Sequence, residues 1–113
     1  MHELSLMAET LAIALRNAEA QNVRQIHRLT MAIGAASGVV PDALQFAFDV
    51  ATQGTIAENA ELAIETIPVT CQCPQCQTQF SPPDWIYECP TCQTLVSQTL
   101  TGREIQLKSL EVS

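Results

Sequence analysis

Two Cys-x-x-Cys pairs, Cys73-Pro74-Gln75-Cys76 and Cys89-Pro90-Thr91-Cys92, constrain this chain more than any other feature, and twelve residues separate them. The surrounding segment, roughly 70–102, is rich in Cys, Gln, Thr and Pro and short of aliphatic side chains. A segment of that size cannot bury enough apolar surface to fold unaided. A metal supplies what is missing. Each tight turn sets two sulfurs on one side, and four thiolates complete a tetrahedron around Zn(II) at about 2.3 Å. Pro74 and Pro90 fix φ within each turn and lower the ordering cost. Zinc binding contributes on the order of 10–16 kcal/mol in model fingers, enough to fold such a loop. A rubredoxin-like iron centre would use the same four ligands. A redox dithiol is expected where a helix starts after a strand, and neither pair has that context. A catalytic zinc keeps an open position beside three protein ligands, whereas four cysteines close the shell. The expected site is therefore structural.

The N-terminus lacks the basic region of a signal peptide, and no apolar run approaches the roughly 18–20 residues that span a bilayer. A cytoplasmic location without membrane association is expected. In a reducing cytosol the five cysteines point to metal rather than to disulfides. Cys71, the fifth, is expected to be a bystander thiol at a strand end rather than an alternate ligand. The formal net charge is −7, and no Lys or Arg occurs between Arg28 and Arg103. Nucleic-acid affinity depends on cations that neutralise phosphates, so this stretch suits neither DNA nor RNA.

Outside the cysteine segment the periodicities are those of a small α+β layer. Leu4, Met7, Leu11, Leu15 and Ala18 recur at helical spacing over residues 4–20, and Asn22 fits a left-handed stop. Val23, His27, Leu29, Met31 and Ile33 alternate with polar residues as in a half-buried strand, which makes His27 a core histidine. Pro41 suits a first helical position, and Leu44, Ala47, Phe48 and Ala51 form the apolar stripe that follows. Strands are expected over about Glu61–Val69 and Arg103–Val112. The resulting fold class is a three-stranded sheet with two helices on one face, residues 1–69 and 103–113, carrying an inserted four-cysteine zinc ribbon over 70–102. Trp85 and Tyr87 are expected to pack over the cysteine turns. No internal repeat is visible.

The first residues, Met1-His2-Glu3, form a chelate if the α-amine is free. The Met1 amine and the His2 amide nitrogen close a five-membered ring on a metal, and the same amide with Nδ1 of His2 closes a six-membered one. Three nitrogens in one plane, with the fourth position open, suit Ni(II) or Cu(II) and leave the ion exchangeable.

Joined, these motifs resemble a known family. Its pattern is carried by Met1-His2-Glu3-Leu4-Ser5-Leu6, by Ile33-Gly34 with Ser37, Pro41 and Leu44-Gln45-Phe46-Ala47-Phe48-Asp49, and by Cys71-Gln72-Cys73 through Cys92. Along essentially its whole length the chain resembles the HypA/HybF family of hydrogenase-maturation nickel chaperones. The resemblance implies a non-enzymatic protein that binds nickel as cargo and zinc as a structural ion. It implies delivery of nickel to the NiFe hydrogenase large-subunit precursor, with a HypB-type GTPase as partner. Matched position by position, His2 is the nickel ligand, supported by Glu3, and Cys73, Cys76, Cys89 and Cys92 are the zinc ligands; the chelate adds the Met1 amine as further support for nickel. The nickel-binding domain is then formed by 1–69 and 103–113. The alternative is a zinc-ribbon adaptor in transcription or RNA handling, which would need a basic groove or stacking aromatics. A homodimer is left open.

Overall fold

The computed structural model describes residues 2–113 and has the order α1 (His2–Ala20), β1 (Ile26–Gly34), α2 (Pro41–Ala51), β2 (Glu61–Ile67), β3 (Thr70–Gln72), β4 (Gln79–Phe80), β5 (Thr99–Thr101) and β6 (Ile105–Val112). The strands form two three-stranded sheets, in the orders β2-β1-β6 and β4-β3-β5. The chain divides into two compact units. One comprises the chain through Ala32 with Val39–Glu65 and Gln106–Ser113, and the other Ile33–Gly38 with Thr66–Ile105.

In the first unit α1 and α2 pack against each other. Met7, Leu11, Ala14 and Ala18 of α1 are buried with Leu44, Ala47 and Phe48 of α2 and with Ile26, Leu29 and Met31 of β1. The stripe sits slightly off the expected one, with Ala14 in the core and Leu4 exposed. Helix α1 ends in a Schellman arrangement: Asn22 has φ 57°, and Val23 N–H donates to Ala18 O at 3.0 Å while Asn22 N–H donates to Glu19 O at 3.2 Å. Helix α2 opens on Val40 in an extended conformation with Pro41 behind it. At its other end Thr52 Oγ1 donates to Phe48 O at 2.8 Å, which satisfies a buried hydroxyl. Gln25 and Ser113 exchange both backbone hydrogen bonds, at 3.3 and 3.0 Å, the signature of an antiparallel pair joining the β6 end of the chain to the start of β1.

His27 is exposed and not in the core, contrary to its strand parity. Ile26 takes the buried place at the start of β1, its N–H donating to Ile56 O at 2.9 Å, and the His27 ring turns outward to place Nε2 2.8 Å from Ser113 Oγ.

The second unit holds the small sheet. Strand β3 is central and antiparallel to both neighbours, pairing Cys71 with Phe80 and Thr70 with Thr101, with a register shift between Thr70 and Cys71. Gly34 approaches Gly102 so closely that a Cβ on Gly34 would lie 2.1 Å from the Gly102 carbonyl carbon and oxygen. Gly102 itself has φ 116° and faces Val69. Among the described residues no helix is long and apolar enough to cross a membrane.

Candidate metal centre

Each cysteine pair is shaped by its own backbone. In the first, Cys73 N–H donates to Thr78 O and Gln77 N–H donates to Cys73 O, both at 2.9 Å. In the second, Cys89 N–H donates to Thr94 O and Gln93 N–H to Cys89 O, again both at 2.9 Å. The left-handed residue is also shared, Gln77 at φ 65° and Gln93 at φ 62°. The sequence explains the likeness. Cys73-Pro74-Gln75-Cys76-Gln77-Thr78 and Cys89-Pro90-Thr91-Cys92-Gln93-Thr94 differ only at the third position, so the chain does carry an internal repeat of six residues.

The two turns bring their sulfurs together. The Sγ atoms of Cys73, Cys76, Cys89 and Cys92 all lie within 4.8 Å of one another, with Cys73 to Cys92 at 3.5 Å and Cys76 to Cys89 at 3.6 Å. A tetrahedral ion held at about 2.3 Å by four sulfurs requires sulfur–sulfur edges of about 3.8 Å. The donor set and its spacing therefore fit a four-coordinate thiolate metal such as zinc. None of the five cysteines is in a disulfide.

Inner and outer ligands differ in environment. Cys73 and Cys89 are fully buried in a small apolar cluster with Cys71 and Val96, against which Val69, Phe80 and Tyr87 pack. Cys76 and Cys92 are exposed. Their charge is held by the repeat itself. The Thr78 hydroxyl, 3.2 Å from Cys76 Sγ, and the Thr78 backbone N–H draw the Cys76 thiol down to about 6. The Thr94 hydroxyl, 3.1 Å from Cys92 Sγ, and the Thr94 N–H lower Cys92 in the same way. Burial instead raises the Cys89 thiol. These hydroxyls were readable in the letters, as the last member of each six-residue repeat.

Cys71 is the middle residue of β3 rather than at a strand end, and it lies outside the four-sulfur group, as expected of a bystander thiol. Burial raises its thiol. Trp85 does not cover the cysteine turns: it is 77% exposed, on the wall of a groove that Pro82, Pro83 and Tyr87 also line. Tyr87 alone of the two aromatics packs against the cluster.

At the other candidate site, Met1 lies outside the described residues. His2 opens α1 and is exposed, and among the described residues it belongs to no group of three or more potential ligands. Glu3 is fixed. Its Oε2 accepts the Val40 N–H at 3.1 Å, and that bond, with the residue's own N–H, lowers the carboxyl below the ordinary glutamate range. The structure thus brings the four sulfurs together and ties Glu3 to the start of α2.

Comparison with known proteins agrees with this architecture. Residues 1–112 match the family model described as hydrogenase/urease nickel incorporation, metallochaperone, hypA. The hydrogenase maturation factor HypA of Picosynechococcus sp. is 58% identical over 112 residues, covering 99% of both chains. Its counterpart in Chloroflexus aggregans is 42% identical over 112 residues, covering 98% of both chains. The solution structure of a HypA protein superposes with a TM-score of 0.74 at 26% identity, covering 100% of this chain and 97% of that one. That of the Ni metallochaperone HypA from Helicobacter pylori gives 0.69 at 23% identity, covering 97% of this chain and 96% of that one, a likeness of fold.

Proposed function

The chain belongs to the HypA family of hydrogenase-maturation nickel metallochaperones, and on that premise we propose that it binds Ni(II) through its N-terminus and delivers it to the NiFe hydrogenase large subunit. The family consists of maturation factors, not enzymes, and takes precedence over an adaptor role in transcription or RNA handling. In this reading residues 1–69 and 103–113 form the nickel-binding domain and 70–102 the zinc domain. His2 is the nickel ligand, with the Met1 amine and the His2 amide completing the chelate. Glu3 supports the site from the first turn of α1. Cys73, Cys76, Cys89 and Cys92 hold a structural zinc. A HypB-type GTPase and the hydrogenase precursor are the partners, met in the cytoplasm.

The observation that carries the reading is the family match over residues 1–112, a span that includes the Met1-His2-Glu3 motif. Two nitrogens from the backbone and one from imidazole suit square-planar Ni(II), and an open fourth position leaves the cargo transferable. The interaction of Glu3 with Val40 limits the freedom of the adjoining turn, which lowers the ordering cost of chelation. The ribbon's role is separate: four thiolates close a zinc shell and leave no position for cargo.

The decisive experiment measures zinc and nickel stoichiometry and nickel affinity on the untagged protein beside His2→Ala. One zinc in both, with nickel binding lost in the variant, is expected. Unchanged nickel binding in His2→Ala would remove the N-terminal site from the account.

A further inference from the structure

We propose that Thr78 and Thr94 are positioning residues that hold the metal kinetically by donating hydrogen bonds to the two exposed sulfurs. The proposal rests on the reading of the four cysteines as a zinc site.

Four thiolates on one divalent ion leave a net charge of −2, and that charge is distributed over the sulfurs. Cys73 and Cys89 are enclosed in the apolar cluster, where neither solvent nor a competing ligand reaches them. Cys76 and Cys92 face outward, so a chelator or a competing metal meets them first. At that edge the structure supplies one hydroxyl per sulfur, Thr78 at 3.2 Å and Thr94 at 3.1 Å. A thiolate accepts and cannot donate, so a hydrogen bond to a ligated sulfur requires the hydroxyl to donate. The Thr78 hydroxyl also lies 3.4 Å from Thr91 Oγ1, and turning its proton to Cys76 leaves it to accept from Thr91. Such outer partners orient a ligand and tune its donor strength. The two contacts to sulfur occupy the same place in the six-residue repeat, and the Thr78 hydroxyl has in addition the Thr91 hydroxyl beside it, at the position where the repeats differ. Thr78 and Thr94 each follow a left-handed glutamine, which swings the hydroxyl back over the preceding cysteine.

The test compares the zinc-loaded full chain with Thr78→Val, Thr94→Val, the double valine variant and the corresponding Thr→Ser variants. Valine keeps the shape and deletes the donor, whereas serine keeps the donor. Zinc transfer to an excess of a coloured chelator is timed, and each valine is expected to speed it about fivefold, the scale of one net hydrogen bond. Serine is expected to restore the slow rate. A second readout uses Co(II) alone in place of zinc. Losing a hydrogen bond raises the energy of the sulfur lone pairs, so the thiolate-to-cobalt charge-transfer band is expected at lower energy in the valine variants. An unchanged band and rate in both single valine variants would overturn the proposal, as would acceleration by serine as well as valine. A wild-type protein that gives no tetrahedral Co(II) spectrum would instead remove the zinc-site reading, and this inference with it.

Discussion

The Glu3 carboxylate, in the first turn of α1, accepts the backbone N–H of Val40, the residue that caps the start of α2, at 3.1 Å. Val40 has no side-chain cap of its own to offer, so a charge from a residue 37 positions earlier does part of that work. The bond favours the ionised carboxyl, which lowers its titration below the ordinary glutamate value near about 4.3. Linkage then fixes the sign. Stability from this contact is fully present above the unfolded value and is lost as pH falls through the lower folded one. An NMR titration should show the Val40 amide proton and the Glu3 carboxyl moving together, with a midpoint under the ordinary glutamate range. A midpoint at or above that range would contradict the contact.

Replacing Cys73 or Cys92 with Ala should unfold the ribbon without dissolving the helical core. Cys73 is lost from both the metal shell and the apolar cluster, and Cys92 from the shell alone. Zinc loss and new protease cleavage within residues 77–88 are expected, while the far-ultraviolet helix signal from α1 and α2 persists. A variant that loses zinc yet resists protease would show that the metal is not what orders the segment.

Cys71→Ala should retain a full equivalent of zinc. The Cys71 side chain is fully buried in the cluster yet stands outside the four-sulfur group, and burial raises its thiol. In the native protein it should resist alkylation until the ribbon opens. Mass spectrometry of alkylated peptides, with and without chelator, reads this directly. Zinc stoichiometry that falls in Cys71→Ala would make Cys71 a ligand.

Phe48 is 1% exposed at the centre of the α1–α2 core. Phe48→Ala should cost about 3–5 kcal/mol through lost transfer energy and an unfilled cavity. Urea unfolding followed at the helix signal measures it. A loss under about 1 kcal/mol would mean that the packing around Phe48 relaxes to fill the space.

What could be read in the sequence was local. Asn22 announces its left-handed stop, Pro41 its helix start and the cysteine pairs their turns, because each signal acts within a few residues. Strands β3 to β5 are two or three residues long, too short to show a period, and their pairing links Thr70 to Thr101 across a long stretch of chain. His27 follows the alternation in letters but not in space, because Ile26 takes the buried position beside it. The outward face of Trp85 was likewise invisible: a large aromatic near cysteines is expected to cover them, and composition says nothing about which wall of a groove it joins. The tie between Glu3 and Val40 depends on how α1 and α2 pack, and neither residue signals it.

The contact between Gly34 and Gly102 has a genetic consequence. What a methyl group on Gly34 would strike is the carbonyl of Gly102, not a side chain. A second mutation at 102 can only add atoms to a site that already lacks room, since glycine is the smallest residue. A defect at Gly34 therefore has no compensating partner at the position it collides with. A hunt for intragenic suppressors of Gly34→Ala should return true revertants or changes elsewhere in the chain, and none at codon 102.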